Sequence, residues 1–342
     1  MSSFTFTEIV RLAQIGVDGW GRNLLRNLAA LPSAELVVIC DTDDTLLSAA
    51  AQMAPRARTT SRIETVLADS SVDAVVIAPS ARSTAIATDC LEARKHVFVE
   101  APLAETSEAA SALVSLASSK DLLLMTGHVL RYHPAIQRLQ TVIDEGTLGT
   151  LRTQSWHLGG LGSASTVSVL DQLGPSALSV TQALMQDTPT AVTAHGRRYT
   201  TDGAEDVVML TIEFGSEALA HLHLSRSEVL KTRRLTVVGS QGLAVFDDMA
   251  PTRPLQLVSR VDAVDDRTRM DYAQAPRARW GEVHLPRLST QEPLALECRE
   301  FVAAIREQRA PLTDGADGLA TVRLMEAAKR SLRTSAVRIE LA

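Results

Sequence analysis

The sequence predicts an α/β chain: a doubly wound parallel sheet in its first third, then an α+β domain built on an open, mostly antiparallel sheet. Three observations carry this expectation. A glycine turn lies close to the N-terminus, strand and helix signals alternate as far as Gly127, and strand-like runs then dominate from Ala191 to Val258. The turn, Gln14-Ile15-Gly16-Val17-Asp18-Gly19-Trp20-Gly21-Arg22-Asn23, has the outline of G-x-G-x-x-G with Asp18 in the second place. Gly16 permits the tight turn and Gly21 permits close packing of the following helix, whereas the second position is where backbone approaches a pyrophosphate. A carboxylate about 4 Å from a phosphate is repelled by roughly 1 to 4 kcal/mol, depending on effective dielectric. The motif thus argues for a Rossmann-type fold more firmly than for tight dinucleotide affinity.

The elements follow in order. Arg11 to Ile15 reads as the entering strand, Arg22 to Leu31 as a helix, and Glu35 to Cys40 as a buried strand ending at Asp41. Asp41 lies 20 residues beyond Gly21, where an acid accepts hydrogen bonds from the adenine ribose hydroxyls and disfavours the extra phosphate of NADP. Asp41 and Asp43 are also placed to cap the helix Asp44 to Met53, and with two carboxylates both roles can be filled. Ser61 to Glu64 reads as a capping box, Asp73 to Ala78 as a strand, Thr84 to Arg94 as a helix, and His96 to Glu100 as a strand. Helix Thr106 to Ser119 and strand Leu122 to Thr126 complete the first domain, expected at 1–127. The second, 128–342, opens with a helix from Pro134 to Glu145 stopped at Gly146 and closes with helices Pro293 to Glu307 and Ala316 to Arg330.

A length of 342 residues suits two domains, and a formal charge of −6 gives no support for nucleic acid or anionic membrane partners. No apolar run reaches bilayer length and no basic region precedes Glu8, so a cytoplasmic protein is expected. Cys40, Cys90 and Cys298 are odd in number and sit in apolar or helical settings, as structural thiols do. His221 and His223 share one face of a strand, but no third ligand is evident, so no metal is expected.

Several blocks resemble the glucose-fructose oxidoreductase, inositol dehydrogenase and rhizopine catabolism family, Gfo/Idh/MocA. Lys95-His96-Val97-Phe98-Val99-Glu100-Ala101-Pro102-Leu103-Ala104 is similar to its K-H-V-x-x-E-K-P-L-A block, and Gly127 to Ala135 resembles G-H-x-x-R-x-N-P-A. Leu235 to Gly242, Asp247-Asp248, Glu292 to Leu294, Glu297 to Arg299 and Pro311 to Gly315 resemble the branch containing UDP-N-acetylglucosaminuronate 3-dehydrogenases. The resemblance implies an NAD-linked oxidoreductase acting on a sugar, sugar nucleotide or related polyol. It implies a cofactor set of Gly16, Asp18, Trp20, Gly21, Asp41, Ala78, Ser80 and Glu100. Residues expected to line the substrate pocket are Ala101, His128, Arg131 and Ser176.

The departures fall on the chemistry. Ala101 stands where the family has lysine, and Ser176 and Ala177 stand at the histidine and aspartate of its D-x-x-x-H-D helix; Ser80 and Thr84 are further losses. Oxidising an alcohol by hydride transfer requires its proton to leave, and an unactivated serine is a poor acceptor. Replacement groups are sought among His133, His157 and Tyr132, which the resemblance sets near the domain junction. Two readings follow: an oxidoreductase with an atypical site, or a scaffold repurposed as a non-redox enzyme or binding subunit. An apolar open sheet face predicts a homodimer or homotetramer.

Overall fold

A computed structural model describes residues 9–80, 82–161, 167–199, 204–261 and 279–341. In chain order the first elements are β1 (Val10–Ile15), α1 (Trp20–Ala29), β2 (Ala34–Cys40), α2 (Asp44–Met53), β3 (Arg58–Thr60), α3 (Ile63–Ala68), β4 (Ala74–Ile77), α4 (Ser83–Glu92), β5 (His96–Glu100), α5 (Ser107–Ser119) and β6 (Leu124–Gly127). A 3-10 turn (Val129–Tyr132) precedes α6 (Pro134–Asp144), β7 (Leu151–Leu161), α7 (Val169–Met185), β8 (Pro189–Arg197), β9 (Val207–Phe214), β10 (Leu219–Ser225), β11 (Ser227–Gly239), β12 (Gly242–Asp247), β13 (Leu255–Val261) and β14 (Arg279–His284). The chain ends with α8 (Pro293–Glu307), α9 (Gly315–Arg333) and β15 (Ile339–Glu340).

Two compact units result, one of 1–133 with 291–326 and one of 134–290 with 327–342. This corrects the expectation of consecutive domains at 1–127 and 128–342. The reason is the apolar stripe of α8: Leu294, Cys298, Phe301 and Val302 are buried in the core of the first unit, where Phe301 meets Phe98 edge to face at 5.7 Å.

In the first unit six parallel strands run in the order β3-β2-β1-β4-β5-β6 among the described residues. Alternation along each strand divides the core into two layers. Leu12, Ile39, Val76 and Phe98 pack with α1, α2 and α8, while Ala13, Val38, Val75 and Val99 pack with α3, α4 and α5. Asp43 caps α2 by accepting from the Thr45 and Leu46 N–H groups, and Thr106 caps α5 through Ala109. The expected capping box does not form: α3 starts after Arg62 with no side-chain cap, and the Thr60 hydroxyl accepts the Arg62 N–H instead.

In the second unit nine strands are ordered β14-β13-β12-β11-β7-β10-β9-β8-β15 among the described residues, antiparallel except for β7 with β10. Helix α7 covers one face, with the buried Trp156 indole donating to the Thr181 hydroxyl at 3.0 Å. The opposite face was expected to be apolar. It is mixed instead, because Met209 and Leu219 share it with Ser155, His157, Thr211, His221 and His223.

Candidate functional site

The order of the first sheet places a topological switch between β1 and β4, where open α/β sheets bind ligands at the carboxyl ends of their strands. Gly16 has φ +86, and a Cβ on Gly21 would stand 2.5 Å from the Gly16 carbonyl oxygen and 3.1 Å from the Ala78 Cβ. These contacts require glycine at both positions and explain a small residue at Ala78. The buried Gln14 side chain clamps the turn, donating to the Gly16 and Gly21 carbonyls at 2.8 and 2.7 Å. Asp18 is exposed, and its carboxylate accepts the Gly19 N–H at 2.7 Å. The acid thus takes a backbone donor of the kind that pyrophosphate uses at such turns.

Asp41 and Asp43 divide the two roles read for them. Asp43 caps α2, whereas Asp41 accepts from the Val17 N–H at 2.8 Å and from the Asp43 N–H at 3.0 Å. A carboxylate has about four lone-pair sites, so Asp41 retains capacity for ribose hydroxyls. Ser80 accepts the Arg82 N–H and lies 3.2 Å from the Ser83 hydroxyl at the entry to α4.

At the far end of this edge stands Glu100, the last residue of β5 and the register partner of Gly127. A Cβ on Gly127 would collide with the Glu100 carboxyl group. Burial pushes the Glu100 pKa up to about 8, partly offset by a hydrogen bond from Trp20. Behind it Glu297 of α8 is fully buried and is raised well above the usual carboxylate range, first by desolvation and then by Glu100. Two such acids beside each other hold protons where exposed carboxyls do not. His128 completes the group. It is fully buried with its Nε2 3.6 Å from Asp317, and desolvation lowers its pKa to about 4, which keeps the ring neutral at neutral pH.

The remaining expected residues separate on this geometry. Tyr132 is buried, its hydroxyl lies 2.9 Å from that of Thr313, and burial raises its pKa, so it is corrected from proton carrier to core residue. Arg131, expected to line the substrate pocket, engages Asp317 at 2.8 Å. His133 ends the 3-10 turn following β6 and is half-buried. Ala101 follows Glu100, leaving no ionisable side chain at that position, and Ser176 sits half-buried on α7. His157 is inside β7 on the face away from α7, because its neighbours Trp156 and Gln154 are the ones that meet Thr181. It thus stands on the opposite face of the sheet from the helix that carries Ser176.

Sequence reasoning missed the role of Glu297. The available signal was an acid at the i+3 place of a helical stripe running Leu294, Cys298, Phe301, a charge on an apolar face. It also missed Glu228, whose neighbours are set by strand register across 71 residues. A cleft of about 710 Å³ lined by His96, Leu123, Ala304 and Arg309 lies at the starts of β5 and β6, the opposite end of these strands from Glu100. Cys40, Cys90 and Cys298 are free and buried, as expected of structural thiols. Among the described residues no helix is long and apolar enough to cross a membrane.

A parallel sheet in this order, carrying the two glycines and Asp41, defines a dinucleotide-binding oxidoreductase scaffold. The chain belongs to the Gfo/Idh/MocA oxidoreductases: the NAD-binding Rossmann fold of that family matches residues 10–128 and its C-terminal domain matches residues 136–245. It is similar to D-apiose dehydrogenase of Paraburkholderia graminis, 26% identical over 97% of this chain and 90% of that protein. It is also similar to UDP-N-acetylglucosamine 3-dehydrogenase of Acidithiobacillus ferrooxidans, 27% identical over 90% of this chain and 93% of that protein. Among solved structures, GenD2 from gentamicin A biosynthesis, in complex with NAD, shares the fold with a TM-score of 0.81 at 24% identity, covering 98% of this chain and 97% of that one.

Proposed function

We propose that this protein oxidises or reduces a sugar, sugar nucleotide or related polyol with NAD, using a proton-handling group other than the family lysine and histidine. The observation that carries the reading is a cofactor edge, kept except at Asp18, that ends at Ala101. Gly16, Gly21 and Ala78 form the turn and Asp41 is seated for a ribose, yet no ionisable side chain follows Glu100. The names of the relatives supply the substrate class.

When bound, NAD supplies the hydride acceptor. The alcohol proton then needs a base at the same edge, and His133 is the group of the expected set that remains suited. Tyr132 is held by Thr313, His128 is buried and neutral, and His157 faces away from α7. The His133 ring takes the proton as the carbonyl forms and returns it in the reverse direction. Glu100, protonated near neutrality and held by Trp20, offers a hydrogen-bond donor without the charge of a carboxylate.

A second reading, a repurposed family member that binds ligand without redox turnover, is favoured by Asp18 on its own turn together with Ala101 and Ser176. Titration with NADH and NADPH followed by turnover of a polyol and sugar-nucleotide panel separates the two. Saturable NADH binding with turnover supports the first, and binding without turnover of any panel member supports the second. A cytoplasmic homodimer or homotetramer belongs to the same proposal, and sedimentation at micromolar concentration tests the assembly.

A further inference from the structure

The open face of the second unit gathers three groups that the redox reading leaves unused. His157 and His223 are register partners on the parallel pair β7 and β10, with ring centroids 4.7 Å apart. The Glu228 carboxylate, at the start of β11, lies 2.8 and 2.9 Å from the His157 Nε2 and 2.9 Å from the His223 Nε2. Glycine makes this possible: a Cβ on Gly159, two residues beyond His157 on the same face, would collide with that carboxyl group. One atom from each residue therefore converges, all three within 4.8 Å of one another.

We propose that His157, His223 and Glu228 form a binding site for a divalent transition-metal ion of the zinc type. Two imidazoles and one carboxylate match the preference of such ions for nitrogen and oxygen donors, and three protein ligands leave a fourth position open to water or another ligand. Metal–nitrogen and metal–oxygen bonds of about 2.0–2.1 Å set tetrahedral ligand atoms roughly 3.3 Å apart. The Glu228 carboxylate thus needs to withdraw by about half an ångström from each ring, an adjustment that half-exposed side chains make by small rotations. Arg234, the register partner of His157, is the cationic neighbour; it is exposed, so its head group extends into solvent. The third ligand comes from Glu228 and not from His221, whose Nδ1 lies 3.1 Å from the Thr211 hydroxyl. The site is distinct from the cofactor edge and does not depend on the redox proposal.

The test uses tag-free full-length protein stripped with chelator. Titration with Zn²⁺ is expected to give one saturable equivalent at micromolar affinity or tighter, and Co²⁺ is expected to give the intense visible bands of a four-coordinate site. His157→Ala, His223→Ala and Glu228→Ala should each weaken Zn²⁺ binding at least about tenfold, while His221→Ala leaves it unchanged. Binding that survives His157→Ala and His223→Ala in folded protein would overturn the proposal. Should the variants fail to fold, the Co²⁺ spectrum of the unaltered protein decides, since weak bands of a hexaaqua-like ion, or no saturable Zn²⁺ uptake, contradict the site.

Discussion

Glu100, Glu297 and His128 in the first unit, and His157, His223 and Glu228 in the second, are two triads drawn from the same two residue types with opposite behaviour. The first is buried, and desolvation keeps both carboxyls protonated and the imidazole neutral. The second is half-exposed, and its carboxylate bonds both rings directly. Burial removes charge from a cluster, whereas exposure leaves its side chains able to exchange partners. The buried triad therefore bears on stability and on the polarity of the cofactor edge, while the exposed one bears on what solvent can deliver.

The largest effect that would sharpen this contrast is catalytic. With a cognate polyol found, His133→Ala should lower turnover by roughly a hundred to ten thousandfold, the usual contribution of a general acid or base. Turnover within a few fold of the unaltered enzyme would remove His133 from the mechanism. Tyr132→Phe should act on stability instead, since its hydroxyl is bonded within the core.

Next comes stability against pH. Glu100 and Glu297 have folded pKa values raised above the unfolded ones, so their protons are favoured in the folded state. Stability from Glu100 is fully present below about pH 4 and is lost as pH climbs toward 8, on the order of a few kcal/mol, and Glu297 contributes a loss of the same sign as pH rises. His128 has the opposite sign: its folded pKa is depressed, so stability is present above about pH 6.5 and is lost as pH falls toward 4, by up to about 3 kcal/mol. The two windows oppose each other between about pH 4.5 and 6.5, so denaturant melts should show the clearest loss as pH rises from about 6.5 to 8. Glu297→Gln should flatten that alkaline loss, His128→Asn should make stability fall earlier, between about pH 4.5 and 6.5, and unchanged profiles in both variants would contradict the assignment. By contrast, Glu228→Gln in the exposed triad should change metal-free stability by about 1 kcal/mol or less.

How far the sequence could be read divides along the same line. Gly16 and Gly21 were legible because the backbone geometry of the turn imposes their spacing within one βαβ segment, and Asp41 because it follows the buried run that ends the second strand. Strand alternation likewise exposed the parallel sheet. The return of α8 to the first unit was hidden, since an apolar stripe records that a helix is buried and not against which layer. Glu297 was hidden for the same reason, its partner Glu100 being 197 residues away in sequence. The pairing of His157 with His223 depends on parallel register between strands distant in sequence, which no local pattern encodes. His221 drew attention because it is near His223 in sequence, while the groups that converge are near it only in space.

A smaller effect concerns Asp18. Replacing it with glycine frees the Gly19 N–H and removes a negative charge from the turn, so Asp18→Gly should tighten NAD binding about tenfold for each 1.4 kcal/mol of repulsion relieved. Unchanged affinity in folded protein would show that the turn already accommodates the pyrophosphate beside the acid.

The account rests above all on a cofactor edge that still binds NAD despite Asp18 and Ala101. Fluorescence titration of the purified protein with NADH and NADPH, alongside Asp41→Ala, addresses this directly. Saturable NADH binding, weaker NADPH binding, and loss of NADH affinity in Asp41→Ala are the predicted results. No saturable binding of either nucleotide to the folded, unaltered protein would contradict it.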